Sequence, residues 1–167
     1  MSRFLYRSFR FVAAGALVLS FRPALAATVD DSVDVDHLIA AYHQAVVSHD
    51  APRLAELFVP TGTAWFNVLS DEGLKRARAR SPDAAKLKPG SVEAFLKFVA
   101  TSMSLLDPRH TNLHVRSDGT IATVTFDFSF LIDGKEENRG SESWQLVRAA
   151  AGWRIVSIIY SSNPPKV

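Results

Sequence analysis

Three side chains in the last third of this 167-residue sequence are suited to proton transfer: Asp127, His110 and His114. Asp127 lies midway along a run rich in phenylalanine, and a carboxyl group buried in apolar surroundings has a raised pKa that suits acid–base chemistry. The same run places Asp127 on one face with Thr123 and Thr125, and a carboxylate in a polar row is usually solvated. The sequence therefore offers Asp127, His110 and His114 as candidate catalytic residues without selecting one of them.

The histidines do not predict a metal site. On one strand, His110 and His114 would share a face but lie roughly 13 Å apart at about 3.3 Å per residue. A zinc ion holds each histidine nitrogen at about 2.0–2.1 Å. His37, His43 and His49 are spaced by six, which puts successive pairs near opposite faces of a helix. The sequence also lacks the strings of a nucleotide-binding loop, a nucleophile elbow and a zinc helix, so we expect neither a metal nor a cofactor.

A second group of residues combines apolar walls with polar tips, as small-ligand cavities do. These pocket candidates are Tyr42, Trp65, Asn67, Gln145 and Tyr160. The same residue types also serve in an ordinary core whose Tyr and Trp tips find partners, and for Tyr160 that interpretation, or an interface, is favoured. Glu142 and Arg154 are expected to pair across neighbouring strands. The predicted partner of the pocket is a small hydrophobic ligand.

The strongest structural signal is a pair of strands at the end of the chain. Residues 142–148 and 153–161 are rich in β-branched and aromatic residues, and the connection at 149–152 contains a glycine that suits a turn. Both faces of this pair are apolar. The pattern therefore predicts a hairpin that is covered on both sides rather than one with a solvated face.

A meander precedes this hairpin. We expect a strand at 111–116 and a long strand at 120–132, and Asp133-Gly134 predicts a two-residue turn after the long strand. That turn would direct one set of side chains at the helices: Val124, Phe126, Phe128, Phe130, Val147, Val156, Ile158 and Tyr160. The outer face would then carry Trp144, Trp153 and Ile159. A bulge in the long strand would exchange the two assignments.

The first half of the sequence predicts three helices. The first begins at Val33 and has one apolar face, formed by Val35, Leu38, Ile39, Tyr42, Ala45 and Val46. Asp50 and Pro52 suit the start of a short second helix. Ser91 can cap a third, ended by Asp107-Pro108, whose inner face would carry Val92, Phe95, Leu96, Val99 and Met103. A strand at 63–68 separates the second and third helices, and the polar, basic segment 69–90 is expected to be a mobile insertion with a helix near 73–80.

The first 26 residues predict an export signal. Arginines precede an eleven-residue apolar run at 11–21, and Ala24 and Ala26 suit cleavage after residue 26. Eleven apolar residues are too few to cross a bilayer, which needs about 20. We therefore expect a periplasmic or secreted protein without a stable membrane anchor. Residues 27–32 would form a disordered lead, and residues 33–167 a single domain.

Cleavage would also change the charge of the chain. The full sequence has 19 basic and 17 acidic residues, and the signal carries four arginines and no acid, so 15 basic and 17 acidic residues remain, a net charge of −2. The basic cluster at 75–88 lacks interleaved aromatic residues, and we expect no nucleic-acid binding. Because the sequence contains no cysteine, the core alone must stabilise the domain, for which about 140 residues suffice.

Four segments resemble the nuclear transport factor 2-like superfamily, in particular its SnoaL-like bacterial branch. They are AYHQAVVSHDAPRLAELF, TAWFN, SVEAFLKFV and SESWQLVRAAAGWRIVSIIYS. The resemblance implies an α+β fold in which a cone-shaped, strongly curved antiparallel sheet of about four to six strands wraps around three N-terminal helices. It also implies an apolar pocket between helices and sheet, and a homodimer through the outer face of the sheet.

The resemblance does not select a function, because members of the superfamily include isomerases, dehydratases, cyclases and proteins that only bind. The leading hypothesis is an exported protein that binds a small molecule in a hydrophobic pocket. The alternative is a cofactor-independent isomerase, dehydratase or cyclase with a single Asp or His as acid–base residue. A third is a dimeric interaction module without a ligand. An open cavity with an inward ionisable residue would favour the enzyme.

Overall fold

The computed structural model describes residues 28–164, and the predicted signal peptide lies outside them. The first helix begins at Thr28, so residues 28–32 are helical rather than a disordered lead. The helices and strands follow in this order: α1 (Thr28–Val47), α2 (Ala51–Ala55), β1 (Ala64–Leu69), α3 (Asp71–Arg80), β2 (Leu87–Pro89), α4 (Val92–Thr101), β3 (Leu106–Ser117), β4 (Ile121–Ile132), β5 (Lys135–Ala149) and β6 (Gly152–Ser162).

The six strands form one sheet in the order β2-β1-β6-β5-β4-β3. Neighbouring strands are antiparallel except β1 and β6, which run parallel. The predicted α+β class and strand number are confirmed, and the sheet is mixed rather than wholly antiparallel. The parallel pair arises because α4 and the meander lie between β1 and β6 in the chain, which gives it the long connection that parallel strands require.

The helices cover one face of the sheet, as their apolar periodicity predicts. α1 packs against β3, and α2 contacts both α1 and α4. The apolar face of α1 is buried: Val35, Leu38, Ile39, Tyr42, Ala45 and Val46. Asp50 accepts a hydrogen bond from the Arg53 amide at the start of α2, and Ser91 accepts one from the Ala94 amide at the start of α4. Both caps are the ones the sequence predicts.

The third helix is shorter than predicted. α4 ends at Thr101, and Ser102 adopts an extended conformation with φ −65° and ψ 136°. Met103 is therefore fully exposed instead of completing the inner face. Asp107 and Pro108 do not end the helix but belong to β3, which begins five residues after it.

The polar segment 69–90 is folded into the domain. Residues 71–80 form α3, whose first turn is capped by Ser70. Residues 87–89 form β2 and pair with β1 as the edge of the sheet. The Lys86 ammonium lies 2.6 Å from an Asp71 carboxylate oxygen and ties the two parts of the segment together. The expectation of a loose insertion is thus replaced by a helix and an edge strand.

Two bulges, one in β5 and one in β6, change which side chains of these strands face the helices, compared with the register that the turn alone predicts. The Asp133-Gly134 turn forms as predicted, but Phe130 pairs with Asn138 and Leu131 with Glu136, which leaves Glu137 as an extra residue in β5. In β6 the extra residue is Val156. Because each extra residue reverses the alternation of side chains, Trp144 and Trp153 are buried against the helices.

These bulges correct the predicted faces of the sheet. Val124, Phe126 and Ile158 are buried as expected, whereas Val147 lies opposite the exposed Ile121 on the outer face. Of the three residues predicted for the outer face, Ile159 is on it, 44% exposed. The predicted dimer therefore loses two of its three apolar contact residues. Among residues 28–164, none of the helices is long and apolar enough to span a membrane.

Gly140 permits the close approach of β5 and β6, and we predict that Gly140→Ala destabilises the fold by about 2 kcal/mol or more. A Cβ at this position would overlap the carbonyl oxygen and hydroxyl of Ser161. Urea unfolding followed by far-ultraviolet circular dichroism measures the loss. Ser143→Ala, on the same strand, is the control and should remain within about 0.5 kcal/mol of the wild type. Equal stability of the two variants would contradict the close approach.

Candidate active site

A cavity of about 250 Å³ opens between the sheet and the helices α1 and α4. This volume equals that of about eight water molecules in the liquid, enough for a ligand of one or two rings. Seven aromatic side chains line it: Tyr42, Trp65, Phe95, Phe98, Phe128, Phe130 and Tyr160. Its remaining polar groups are His110, Asn138 and Glu142. An aromatic chamber with a few convergent polar groups is the usual form of a small-molecule site.

Glu142 is the ionisable carboxyl of this cavity. It lies on the helix-facing side of β5, directly opposite Tyr160 in β6 and Phe126 in β4. Trp144, two residues further along the same face, donates a hydrogen bond from Nε1 to Glu142 Oε1 at 2.6 Å. Burial raises the pKa of Glu142 to about 7, and the bond from Trp144 offsets part of that rise. Near neutral pH the carboxyl can therefore either release or take up a proton.

Two tyrosines flank this carboxyl. Tyr42 is buried in α1, and burial together with the negative charges of Glu142 and Tyr160 raises its pKa well above the usual value. The pKa of Tyr160 is raised by burial and by Glu142, and hydrogen bonds from Asn67 and Trp65 oppose that rise. Both phenols are thus neutral hydrogen-bond donors at physiological pH. Asn67 and Trp65 donate toward the Tyr160 oxygen, and the phenol keeps its own proton as a hydrogen-bond donor.

His110 is a further titratable group on the cavity wall. Its ring centroid lies 4.6 Å from that of Phe126 and 5.8 Å from that of Trp144, edge to face with both. Burial lowers the pKa of His110 to about 4, and the nearby His43 contributes to that decrease. His110 is therefore neutral at pH 7 and offers one donor and one acceptor rather than a charge.

His110 and His114 lie on opposite faces of β3, contrary to the sequence prediction. His110 pairs with Phe128 and His114 with Thr125, and the intervening register shift inserts one extra residue. Asn112, within this bulge, has a φ of 54°, a left-handed conformation that asparagine tolerates. The bulge turns His110 inward and leaves His114 exposed on the outer face.

Asp127 and Gln145 also lie on the outer face, outside the cavity. The carboxylate of Asp127 is exposed and accepts hydrogen bonds from Asn112 Nδ2 at 2.8 Å and Ser141 Oγ at 3.2 Å. Gln145 accepts one from Thr123 at 2.9 Å. A groove of about 430 Å³ runs beside Asp127, and Glu142 and Tyr160 contribute to its lining as well. The Glu142 carboxyl, however, is bonded to Trp144 on the helix-facing side, where it lines the smaller cavity. We therefore assign the candidate chemistry to the smaller cavity.

The pocket candidates divide accordingly. The cavity wall includes Tyr42, Trp65 and Tyr160, and Asn67 stands behind Tyr160 as its hydrogen-bond partner. His43 bonds Asp107 at 3.2 Å and His49 bonds the Val99 carbonyl at 2.8 Å, so these histidines serve separate contacts. Within the described part of the chain, no group of three or more metal-ligating side chains converges.

The residue that sequence reasoning missed is Glu142. Its expected partner Arg154 instead donates to the carbonyls of Ala151 and Trp153. The available signal was the Glu-x-Trp spacing, because residues two apart on a strand share a face. Since Trp144 was assigned to the outer face, the same spacing assigned Glu142 to the outer face as well.

The sequence matches no protein-family model, and no curated protein matches it. Solved structures do match. A NTF2-like protein of unknown function from Shewanella baltica superposes with a TM-score of 0.57 at 15% identity, over 83% of this chain and 98% of that one. A candidate dehydratase of the NTF2-like family from Streptomyces avermitilis superposes with a TM-score of 0.58 at 18% identity, over 83% of this chain and 98% of that one. A protein with a cystatin-like fold from Nostoc punctiforme superposes with a TM-score of 0.59 at 12% identity, over 82% of this chain and 94% of that one.

These comparisons confirm the fold that the sequence resemblance implies: the chain has the NTF2-like, cystatin-like fold. Identities of 12 to 18% in these three pairs carry the fold alone. A total of 319 solved chains match, and a fold shared so widely does not select a reaction. The function has to be argued from the cavity.

Glu142 and His110 make opposite contributions to the pH dependence of stability. The pKa of Glu142 rises from 4.5 in the unfolded chain to about 7 in the folded one, so the folded state binds this proton more tightly. The resulting contribution to the free energy of unfolding is full below pH 4.5 and is lost as the pH rises to 7. The pKa of His110 falls from 6.5 in the unfolded chain to about 4 in the folded one, so the folded state binds this proton less tightly. Its contribution to the free energy of unfolding is full above pH 6.5 and is lost as the pH falls to 4. At 1.36 kcal/mol per pKa unit, each amounts to about 3 kcal/mol, and the two largely cancel in the wild type.

We predict that Glu142→Gln removes this cancellation. Its free energy of unfolding, relative to the wild type, should rise by up to about 3 kcal/mol between pH 4.5 and 7, because glutamine cannot ionise. His110→Asn should show the opposite pH dependence: its free energy of unfolding, relative to the wild type, should rise as the pH falls from 6.5 to 4, because asparagine cannot take up the proton. Urea unfolding at a series of pH values measures both differences. Differences that stay constant with pH would show that neither group has the stated pKa.

Proposed function

We propose that this protein binds a small, neutral, ring-containing molecule in the aromatic cavity and catalyses a proton transfer on it without a cofactor, as an isomerase or dehydratase does. The observation that supports this proposal most is Glu142, a carboxyl with a pKa of about 7 that faces an apolar cavity. The acid–base residue is thus a glutamate rather than the Asp or His expected from the sequence. A group whose pKa lies near the working pH is the most effective general acid or base.

The ligand class follows from the charges around the cavity. Among the described residues that line it, none is Lys or Arg, and the one ionisable acid is Glu142. An anionic ligand would face a carboxylate with no compensating cation, at a cost that low-dielectric surroundings increase. The aromatic walls favour a flat apolar ring, which they can stack against or meet edge to face. A neutral ring bearing a carbonyl group satisfies both conditions.

The proposed reaction assigns one role to each group. The carboxylate of Glu142 removes a proton from the carbon next to the carbonyl, and the C–H electron pair moves to form an enolate. Tyr160 donates its hydroxyl hydrogen bond to the carbonyl oxygen, where the negative charge develops. Glu142 then returns the proton to another carbon of the conjugated system, which is isomerisation, or a β-hydroxyl group departs as water with that proton, which is dehydration. His110, which is neutral, can hold a further oxygen of the ligand.

We predict that Glu142→Gln abolishes this proton transfer. The probe is 2-tetralone, a neutral bicyclic ketone, and the readout is exchange of its α-hydrogens for deuterium, measured by NMR. The variant should lose at least about 100-fold of the protein-catalysed rate, the usual contribution of a general base. Tyr160→Phe should lose about 100-fold or more, because it keeps the base but removes one hydrogen-bond donor to the oxyanion. The wild-type rate should rise with pH across about 7 as Glu142 ionises.

Asp127→Asn is the matched control, because it neutralises a carboxylate on the opposite face of the sheet; it should exchange 2-tetralone at the wild-type rate. Quenching of tryptophan fluorescence measures ligand binding independently of exchange. If the wild type binds 2-tetralone but does not catalyse the exchange, the proposed enzymatic activity is wrong and the hypothesis of a protein that only binds a small molecule is supported.

We also propose that residues 1–26 direct export of the chain and are then removed. The described domain begins with α1 at Thr28, so cleavage after Ala26 would leave every described element intact. Expression in a Gram-negative host with a C-terminal tag should give periplasmic protein whose intact mass corresponds to a start at Ala27. Recovery of the full-length chain from the cytoplasm alone would contradict this proposal.

A further inference from the structure

Asn138 lies on the cavity wall away from Glu142 and is not used in the proposed reaction. Both residues belong to β5, and the pairing with β4 is regular from Asn138 to Glu142, so they share the cavity face. Four residues of strand separate them, about 13 Å at roughly 3.3 Å per residue. Asn138 therefore marks a second polar position along the length of the cavity.

The orientation of the Asn138 amide is fixed by its neighbours. Oδ1 accepts one hydrogen bond from the Ser162 hydroxyl at 2.9 Å and another from the Arg139 backbone N–H at 2.9 Å. A backbone N–H can only donate, so the atom that faces it must be the amide oxygen. The amide nitrogen consequently points away from these two donors, and among the described residues none accepts a hydrogen bond from it.

We propose that Asn138 is a specificity residue that donates a hydrogen bond from Nδ2 to an oxygen at the far end of the ligand. The substrate class is then a neutral ring compound with two oxygens. One is the carbonyl held by Tyr160 beside Glu142, and the other is an ether, hydroxyl or carbonyl oxygen held by Asn138. This assignment rests on the proposed function for the identity of the reacting end, and on the amide geometry alone for the distal end.

The experiment compares two probes of equal shape. 6-Methoxy-2-tetralone carries a distal oxygen, and 6-ethyl-2-tetralone replaces that oxygen by a methylene group. Dissociation constants are measured by quenching of tryptophan fluorescence. We expect the wild type to bind the methoxy compound about fivefold more tightly, the value of one ordinary hydrogen bond. Asn138→Leu should bring the ratio to about one while leaving the affinity for the ethyl compound within about twofold.

Two further variants keep the test decisive if the leucine variant does not fold. Asn138→Asp retains an oxygen for Ser162 and for the Arg139 amide but lacks the N–H donors, so it should also lose the preference. Ser162→Ala frees the amide to rotate and should reduce the preference in part. Equal affinity of the wild type for the two probes, or a preference that survives in both Asn138 variants, would overturn the inference.

This binding ratio does not depend on turnover. Glu142→Gln should retain the fivefold preference for the methoxy probe even though it no longer exchanges α-hydrogens. A preserved ratio without any wild-type exchange would refute the proposed reaction and support the distal contact. Catalysed exchange without a preference would refute the distal contact and support the reaction.

Discussion

The hydrogen bond from Trp144 to Glu142 is the interaction on which the cavity and its chemistry depend. The indole is fully buried beneath the helices, with its ring centroid 5.0 Å from that of Tyr42 and 5.1 Å from that of Phe126. It therefore fixes the Glu142 carboxyl in an apolar environment that strand geometry alone would not maintain. Burial of a carboxyl is costly unless the group is protonated or hydrogen-bonded; Glu142 is hydrogen-bonded and, near pH 7, about half protonated.

The sheet supplies that environment through its irregular positions. Extra residues at Glu137 and Val156, and the bulge beside Asn112, each reverse the alternation of side chains in one strand. Together they direct His110, Trp144 and Tyr160 at the helices, while the outer face retains hydroxyl groups and Asp127. Bulges occur frequently next to active sites, where the extra residue bends the strand and redirects its side chains.

Much of the fold could be predicted from the sequence because its signals are local. The apolar stripe of α1, the caps at Asp50 and Ser91, and the Asp133-Gly134 turn all depend on neighbouring residues. The site could not be predicted in the same way, because a one-residue bulge decides which face each strand presents and has no local signature at Glu137 or Val156. Gln145 consequently moved to the outer face and Glu142 into the cavity, whereas Asp127 stayed on the polar face that its alternation with Phe126 and Phe128 predicts. The position of Tyr42 and Trp65 on the cavity wall depends only on helix and strand periodicity, so the sequence could predict it.

The central claim is that Glu142 is a cavity carboxyl poised for proton transfer near neutral pH. The most direct test is an NMR titration of the protein labelled with ¹³C at the glutamate side-chain carboxyl, with Glu142→Gln used to assign the signal. We predict a midpoint near pH 7 for Glu142, well separated from those of exposed glutamates, which titrate at about 4.3. A midpoint between 4 and 5 would show a solvated carboxylate and would contradict the assignment of this cavity as an acid–base site.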